Sequence, residues 1–347
     1  MQEDISIYEA ARYPWSVLAR SLLKDFDVSL SEVDKNPRII QRTQQRLMQA
    51  LDSTTRIGKV THEDDAYIEL TSFFVAKALV DSIASMYLRR RWATAEAKQA
   101  ELFFHKETEA RLVRIAQREF NWKIRTEPSR VAGRVFSHSL HVANYLNAAA
   151  GFHELEWKLV NKRLDNGYVL LRKSETARVL RAALEKTLVS DIKKVPADFP
   201  PHIQQLYQEV DTNVRKRTDR MRQEIQGEII PEAFPPCMQA LLADMKEGKP
   251  LSHVARFAIT AFLLNIGMDV DSILELFFKA PDFREDLARY QIEHIAGKRG
   301  STAYTSPSCA YMISVRLCVD PDQASTRKHP LAYYRRRRKW LSKRSHS

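Results

Sequence analysis

Apolar residues recur at three-to-four spacing through most of this 347-residue chain, which is the period of an amphipathic helix. The pattern predicts helices over Trp15–Lys24, Ile39–Leu51, Asp65–Trp92, Ala95–Arg118 and Ser174–Ile192. In the second half Val254, Phe257, Ala258, Ala261, Phe262 and Leu264 continue it up to Gly267, a candidate C-cap. Glycine is scarce, with 9 residues in the chain against roughly 7% in average proteins, and only four precede residue 227. One short segment has strand composition, Gly167-Tyr-Val-Leu-Leu171, with the stretch near Phe120–Ile124 as its candidate partner. A mainly α body with a small α/β insert is expected.

Residues Asp211–Glu228 are highly charged and weakly apolar, and Pro231 and Pro235-Pro236 follow. This reads as a solvated helix leading into a hinge, with a domain boundary near residue 230. Residues 1–230 then form a helical scaffold domain ending in a charged linker, and residues 231–347 a second domain. The net charge of +12 is uneven. From Lys298 to Ser347 there are 12 Lys/Arg against 2 Asp/Glu, so the first 297 residues carry only +2. A basic segment on a near-neutral body is the electrostatic footprint of a nucleic-acid binder; a solvated tail is the plainer reading of Arg335–Lys339.

No window approaches 18 consecutive apolar residues, so no membrane span is expected. The first residues, MQEDISIYEAARYPW, have neither a basic n-region nor an apolar h-region. The three cysteines, Cys237, Cys309 and Cys318, are odd in number and widely spaced, which is no disulfide framework. A reducing cytoplasm is the expected location.

Those cysteines all lie in the last third, spaced Cys237-x71-Cys309-x8-Cys318. Thiolates are soft donors that bind iron or zinc. Spacing alone leaves a ligand set and three unconnected buried thiols equally open. The surrounding phrases are more specific: Phe234-Pro-Pro-Cys237, then Ser252-His253-Val254-Ala255-Arg256-Phe257, then Pro281-Asp282-Phe283 and Ala288-Arg289-Tyr290-Gln291-Ile292-Glu293-His294-Ile295-Ala296-Gly297. Tyr304-Thr-Ser-Pro-Ser-Cys309 and His329-Pro-Leu-Ala-Tyr-Tyr334 follow in order. In this order they resemble the C-terminal domain of the archaeal/eukaryotic DNA primase large subunit, strongly over residues 230–334. A weaker echo at Trp157-Lys-Leu-Val-Asn161 ahead of Gly167-Tyr-Val extends the likeness toward the N-terminus.

The resemblance implies a helical C-terminal domain of iron–sulfur type beside the helical N-terminal domain, with a [4Fe-4S] cluster on four cysteines. Three positions match, Cys237, Cys309 and Cys318; the fourth is Ser325, in Pro321-Asp-Gln-Ala-Ser325. A serine oxygen ligates iron only as an alkoxide, a harder and poorer donor. A labile four-iron cluster, a three-iron form and no cluster at all therefore stay open. His329 is a conceivable substitute, but it belongs to the family's HPL phrase and reads as structural.

The resemblance also implies contact with the template–primer junction and the primer 5′-triphosphate. His253 and Arg256 lie three apart, on one helix face, and arginine's planar fork suits phosphate oxygens. Arg289, Tyr290, His294, Lys298 and Arg299 would face them, with Tyr290 available to stack on a base. Taken singly, each reads better as a surface salt bridge or a satisfied core histidine; as a set inside the matched motif they favour nucleic-acid contact.

Catalytic motifs are missing from the sequence. No G-x-x-x-x-G-K or G-x-G-x-x-G loop is present. Asp269-Val-Asp271 follows Gly267 and opens a predicted helix, where Asp serves as an N-cap rather than a metal ligand; Asp320 and Asp322 lie in a Pro-containing loop. The expected function is thus a non-catalytic regulatory primase subunit, partnered by a small catalytic primase protein and by single-stranded DNA template and RNA primer. Two alternatives are an iron–sulfur DNA-repair protein of glycosylase type and a zinc-stabilised module on Cys237, Cys309, Cys318 and His329.

Overall fold

The computed structural model describes residues 6–26, 29–54, 60–131, 133–152, 154–193, 198–225, 228–278, 283–299, 304–321 and 329–344. The chain divides into two compact units, Met1–Arg217 and Thr218–Ser347. The fold is mainly α, with one small sheet.

Unit 1 begins with α1 (Ile7–Arg12), α2 (Val17–Asp25), α3 (Leu30–Asp34) and α4 (Pro37–Asp52). Their starts are chemically marked. The Ser16 hydroxyl accepts from the Ala19 N–H, and the Asn36 side chain accepts from Arg38 and Ile39 with Pro37 opening the helix. Next come α5 (Glu63–Ile83), α6 (Met86–Phe104) and α7 (Glu109–Phe120). Here two expected helices are corrected. Asp65–Trp92 breaks at Ala84, whose φ of 55° is left-handed, and Ser85 caps a new helix by accepting from Leu88. Ala95–Arg118 breaks after Phe104, and Thr108 caps the next by accepting from Arg111. Apolar periodicity runs on through both breaks, whereas the capping hydroxyls mark them.

The insert contains β1 (Ile124–Val131), β2 (Arg134–His141), α8 (Val142–Ala149), β3 (Leu164–Asp165) and β4 (Tyr168–Leu171). The sheet is antiparallel in the order β1-β2-β4-β3. The strand expected at 167–171 is β4, but its partner is not the 120–124 segment. Val169 pairs with Leu140 on β2, and Ile124 pairs with the same Leu140 from the far side. The intervening strand shows no alternation, because Ser137, His138, Ser139 and Leu140 are all buried. A strand covered on both faces loses the period-2 signature.

Helix α9 (Lys173–Ser190) follows, then α10 (Pro201–Ile225). Ile203, Leu206, Val210 and Val214 pack α10 into the core of unit 1 at three-to-four spacing. The charged segment from Asp211 is therefore the second half of a longer helix. The same core holds buried charge. Arg46 donates to both Glu96 carboxylate oxygens, at 2.8 and 2.7 Å, and to Glu69 Oε2 at 2.6 Å, while Arg42 pairs with Glu69.

Unit 2 is built from α11 (Pro236–Lys246), α12 (His253–Asn265), α13 (Val270–Phe277), α14 (Glu285–Ile295), α15 (Cys309–Ser314) and α16 (Pro330–Arg344). Gly267, at φ 103°, ends α12 as expected. At the centre three rings meet edge to face: Phe234 with Phe262 at 5.2 Å, and Tyr334 with each at 5.8 and 5.9 Å. Burying one such ring contributes about 1.5–3 kcal/mol. The Tyr334 hydroxyl accepts from the Ile230 N–H at 3.2 Å, tying α16 to the segment ahead of α11. Among the described residues no helix is long and apolar enough to cross a membrane.

Candidate nucleic-acid interface and thiol cluster

Between α12 and α14 lies a cavity of about 470 Å³. Ser252 starts α12 by accepting from the Ala255 N–H at 3.2 Å. That cap puts His253 in the first turn and Arg256 one turn on, and both line the cavity with Phe257. The opposite wall comes from α14, with Leu287, Tyr290 and His294.

The cavity is aromatic as well as cationic. His294 lies between two tyrosines, 6.4 Å from the Tyr290 ring at 23° and 5.5 Å from the Tyr304 ring at 31°. Tyr304 meets Phe257 edge to face at 5.8 Å. Its segment is clamped by Asn265, the last residue of α12. The Asn265 amide nitrogen donates to the Tyr304 carbonyl at 3.1 Å, and its oxygen accepts from the Ser306 N–H at 3.0 Å. The Tyr304 N–H in turn donates to the Ile295 carbonyl at 2.9 Å.

Of the seven residues expected to contact nucleic acid, His253, Arg256, Tyr290 and His294 share this cavity. The other three do not line it. Arg289 pairs with Asp271 at 2.7 Å and reaches Glu285 at 3.9 Å. Its guanidinium is held further above its usual range by the Asp271 bond. The Arg299 guanidinium bonds Glu293 and lies over the Tyr290 ring at 5.2 Å. Lys298 is exposed, with its N–H on the Glu293 carbonyl. Tyr304 and Arg284 also line the cavity, although the sequence does not single them out. Tyr304 stands inside a matched phrase, yet only folding shows that 304 returns to the end of α12.

Asp269 and Asp271 have structural places. Asp269 caps α13, accepting from the Ser272 hydroxyl at 2.7 Å and N–H at 2.8 Å, and these bonds hold its carboxyl below the usual range. Asp271 pairs with Arg289.

The three cysteines converge. Cys237 in the first turn of α11, Cys309 at the start of α15 and Cys318 line one cavity of about 30 Å³, walled by Pro235, Pro236 and Pro330. Burial, with lesser contributions from the neighbouring Cys318 and Cys309, pushes the Cys237 thiol up to about 11. Among the described residues no three His, Cys, Asp or Glu side chains meet as ligands of a single ion. Zinc requires such a meeting point, at about 2.3 Å from each thiolate. A [4Fe-4S] cluster takes each thiolate on a separate iron, so its cysteines stand further apart than those of a single zinc ion. The three converging thiols are soft donors, the kind that iron or zinc takes. Ser325 and Asp322 lie outside the described residues. The His329 Nδ1 accepts from the Leu331 N–H at 3.2 Å, at the start of α16.

Residues 227–337 match the family model for the C-terminal domain of the eukaryotic and archaeal DNA primase large subunit. Likeness extends well beyond that segment. The chain is 34% identical over 331 residues to the DNA primase large subunit PriL of Methanocella arvoryzae, covering 94% of this chain and 87% of the relative. It is 32% identical over 342 residues to PriL of Halobacterium salinarum, covering 93% and 92%. With PriL of Methanosarcina mazei the identity is 31% over 336 residues, covering 94% and 88%.

Proposed function

The chain belongs to the eukaryotic and archaeal DNA primase large-subunit family, and we propose that its α12–α14 cavity holds the initiating nucleotide at the primer 5′ end. One observation carries this reading: a wall with the Arg256 cation and His253 faces an aromatic wall, Tyr290, His294 and Tyr304. Arginine suits phosphate oxygens and the rings suit a base. A volume near 470 Å³ lies within the roughly 300–1,000 Å³ usual for small-ligand sites.

In this reading the chain is the regulatory subunit, working in the cytoplasm with a small catalytic subunit, single-stranded DNA template and RNA primer. Its contribution to chemistry is proximity. Holding the first nucleotide and template beside the partner's active site removes much of the entropic barrier to the first phosphodiester bond. Cys237, Cys309 and Cys318 would hold a [4Fe-4S] cluster. When bound, it would cross-link α11, α15 and the segment at Cys318 as a structural clamp. Kinship with primase large subunits over nearly the whole chain favours this function over a glycosylase-type repair protein.

The test compares two activities of the primase heterodimer at fixed salt. Loss of one charge-assisted hydrogen bond costs about 1.5–3 kcal/mol, or roughly 10- to 150-fold in affinity. Arg256→Ala is expected to depress de novo dinucleotide synthesis by that order and to spare extension of a preformed primer. Unchanged initiation would remove Arg256 from the site, and equal loss of both activities would point to misfolding.

A further inference from the structure

Unit 2 has a second, larger cleft of about 950 Å³, lined on one side by the segment leading into the unit and on the other by α16. Arg335, Arg338, Lys339 and Ser342 line it, spaced three and four apart, so α16 turns one face toward it. Glu228 and Glu232 stand opposite. With Arg336, which also borders it, the lining carries four cations to two carboxylates. The helix is fixed in place, because Leu331 and Tyr334 are buried and Arg338 donates to the Ile225 carbonyl at 3.0 Å. Arg336 and Lys339 are exposed and form no ion pair among the described residues. Beside them the Arg337 guanidinium lies over the Trp340 ring at 4.2 Å, and that indole is 41% exposed.

A cationic groove beside an exposed aromatic ring is the arrangement that binds single strands, with charge following the backbone and rings stacking on unpaired bases. A duplex offers no free base face to Trp340. We propose that α16 is a second contact for single-stranded nucleic acid, in which Arg336 and Lys339 neutralise backbone phosphates and Trp340 stacks on a base. The proposal rests on the primase reading of the family, but none of its residues belongs to the α12–α14 cavity.

Tryptophan emission reads this contact directly. Of the five tryptophans, Trp15, Trp92, Trp122 and Trp157 are buried in unit 1, and only Trp340 is exposed. The full chain would be titrated with oligothymidylate DNA and oligouridylate RNA, both lacking a 5′-triphosphate, across a range of salt. Emission should be quenched on binding, and Trp340→Leu should abolish the quench. In Arg336→Gln/Lys339→Gln the slope of log K against log salt should become shallower by about 1.4, at about 0.7 per single-strand phosphate contact. Tighter binding of the DNA assigns the track to template, and tighter binding of the RNA assigns it to primer. Unchanged emission at saturation, or an unaltered salt slope in the double variant, overturns the proposal. So does loss of the small subunit by these variants with oligonucleotide binding intact, which would make α16 a protein interface. Arg256→Ala should leave the quench and its salt slope unchanged, so this inference and the nucleotide-cavity reading fail separately.

Discussion

Asn265 fixes the place of Tyr304 in the cavity: one amide side chain donates to the Tyr304 carbonyl and accepts from the Ser306 N–H. The aromatic wall therefore depends on the last residue of the helix that carries His253 and Arg256. Asn265→Ala removes both bonds, at about 0.5–1.5 kcal/mol each. Unit 2 should lose roughly 1–3 kcal/mol of stability on that basis, and affinity for the initiating nucleotide should fall. Asn265→Asp keeps the acceptor for Ser306 and loses the donor to Tyr304. Chemical denaturation with nucleotide titration separates the two effects, and wild-type affinity in Asn265→Asp would show that the Tyr304 tether does not matter.

The buried charges of unit 1 make a sharper stability prediction. Arg46 is fully enclosed, and its charge is held by Glu96 and Glu69 against the cost of burial. Glu96→Ala should cost about 3–5 kcal/mol, because a buried charge loses one of its two partners and keeps only the Glu69 carboxylate that it shares with Arg42. Arg46→Met combined with Glu96→Leu leaves the Arg42–Glu69 pair intact and should cost less than Glu96→Ala alone. Urea melts of the three proteins check the order.

Acid sensitivity of unit 1 should come in part from His138. Its Nε2 lies 3.2 Å from the Glu109 carbonyl, which only accepts, so this nitrogen carries the proton. Nδ1 then accepts from the Thr176 hydroxyl at 3.0 Å. Burial lowers the imidazole pKa, the Lys173 charge acts in the same direction, and Glu109 opposes them. Above the unfolded histidine value of about 6.5 both states are neutral and His138 contributes no pH dependence. As pH falls below it, the unfolded chain takes up a proton that the folded state refuses, so stability falls toward acid. His138→Gln should flatten the stability–pH slope below that point by up to about one proton. Thermal melts at a series of pH values measure it, and an unchanged slope would discard the assignment.

Iron content tests the thiol cavity. Anaerobically purified protein should contain iron and sulfide, released in air faster than from a four-cysteine site. Ser325→Cys should slow that release. Iron-free protein in both forms would show that the three converging thiols serve only as packing.

Helix identity is readable wherever one face stays apolar over three or more turns, as in α4 and α9. The helix breaks at Ala84 and His105 are not, since period carries no information about where a Ser or Thr caps a new start. Strand β2 is hidden for a related reason: His138 and its serine neighbours are buried polar groups, and hydropathy reads them as surface. At the site, motif phrases locate His253, Arg256, Tyr290 and His294. They do not separate Arg289, whose ion pair with Asp271 depends on how α13 and α14 pack. The cation-over-ring contact of Arg299 on Tyr290 likewise has no sequence signature.

The ring cluster of Phe234, Phe262 and Tyr334 bears on the order of folding during synthesis. Unit 1 draws its core from residues up to Val214, so it is complete once that helix has emerged. Unit 2 starts its core at Ala233 and Phe234 and closes it with Leu331 and Tyr334, about a hundred residues later. Domains fold from the N-terminal side as they are made. Throughout that interval Phe234 and Phe262 wait without their third ring, and a chain ending before Tyr334 would leave them exposed to water and to aggregation.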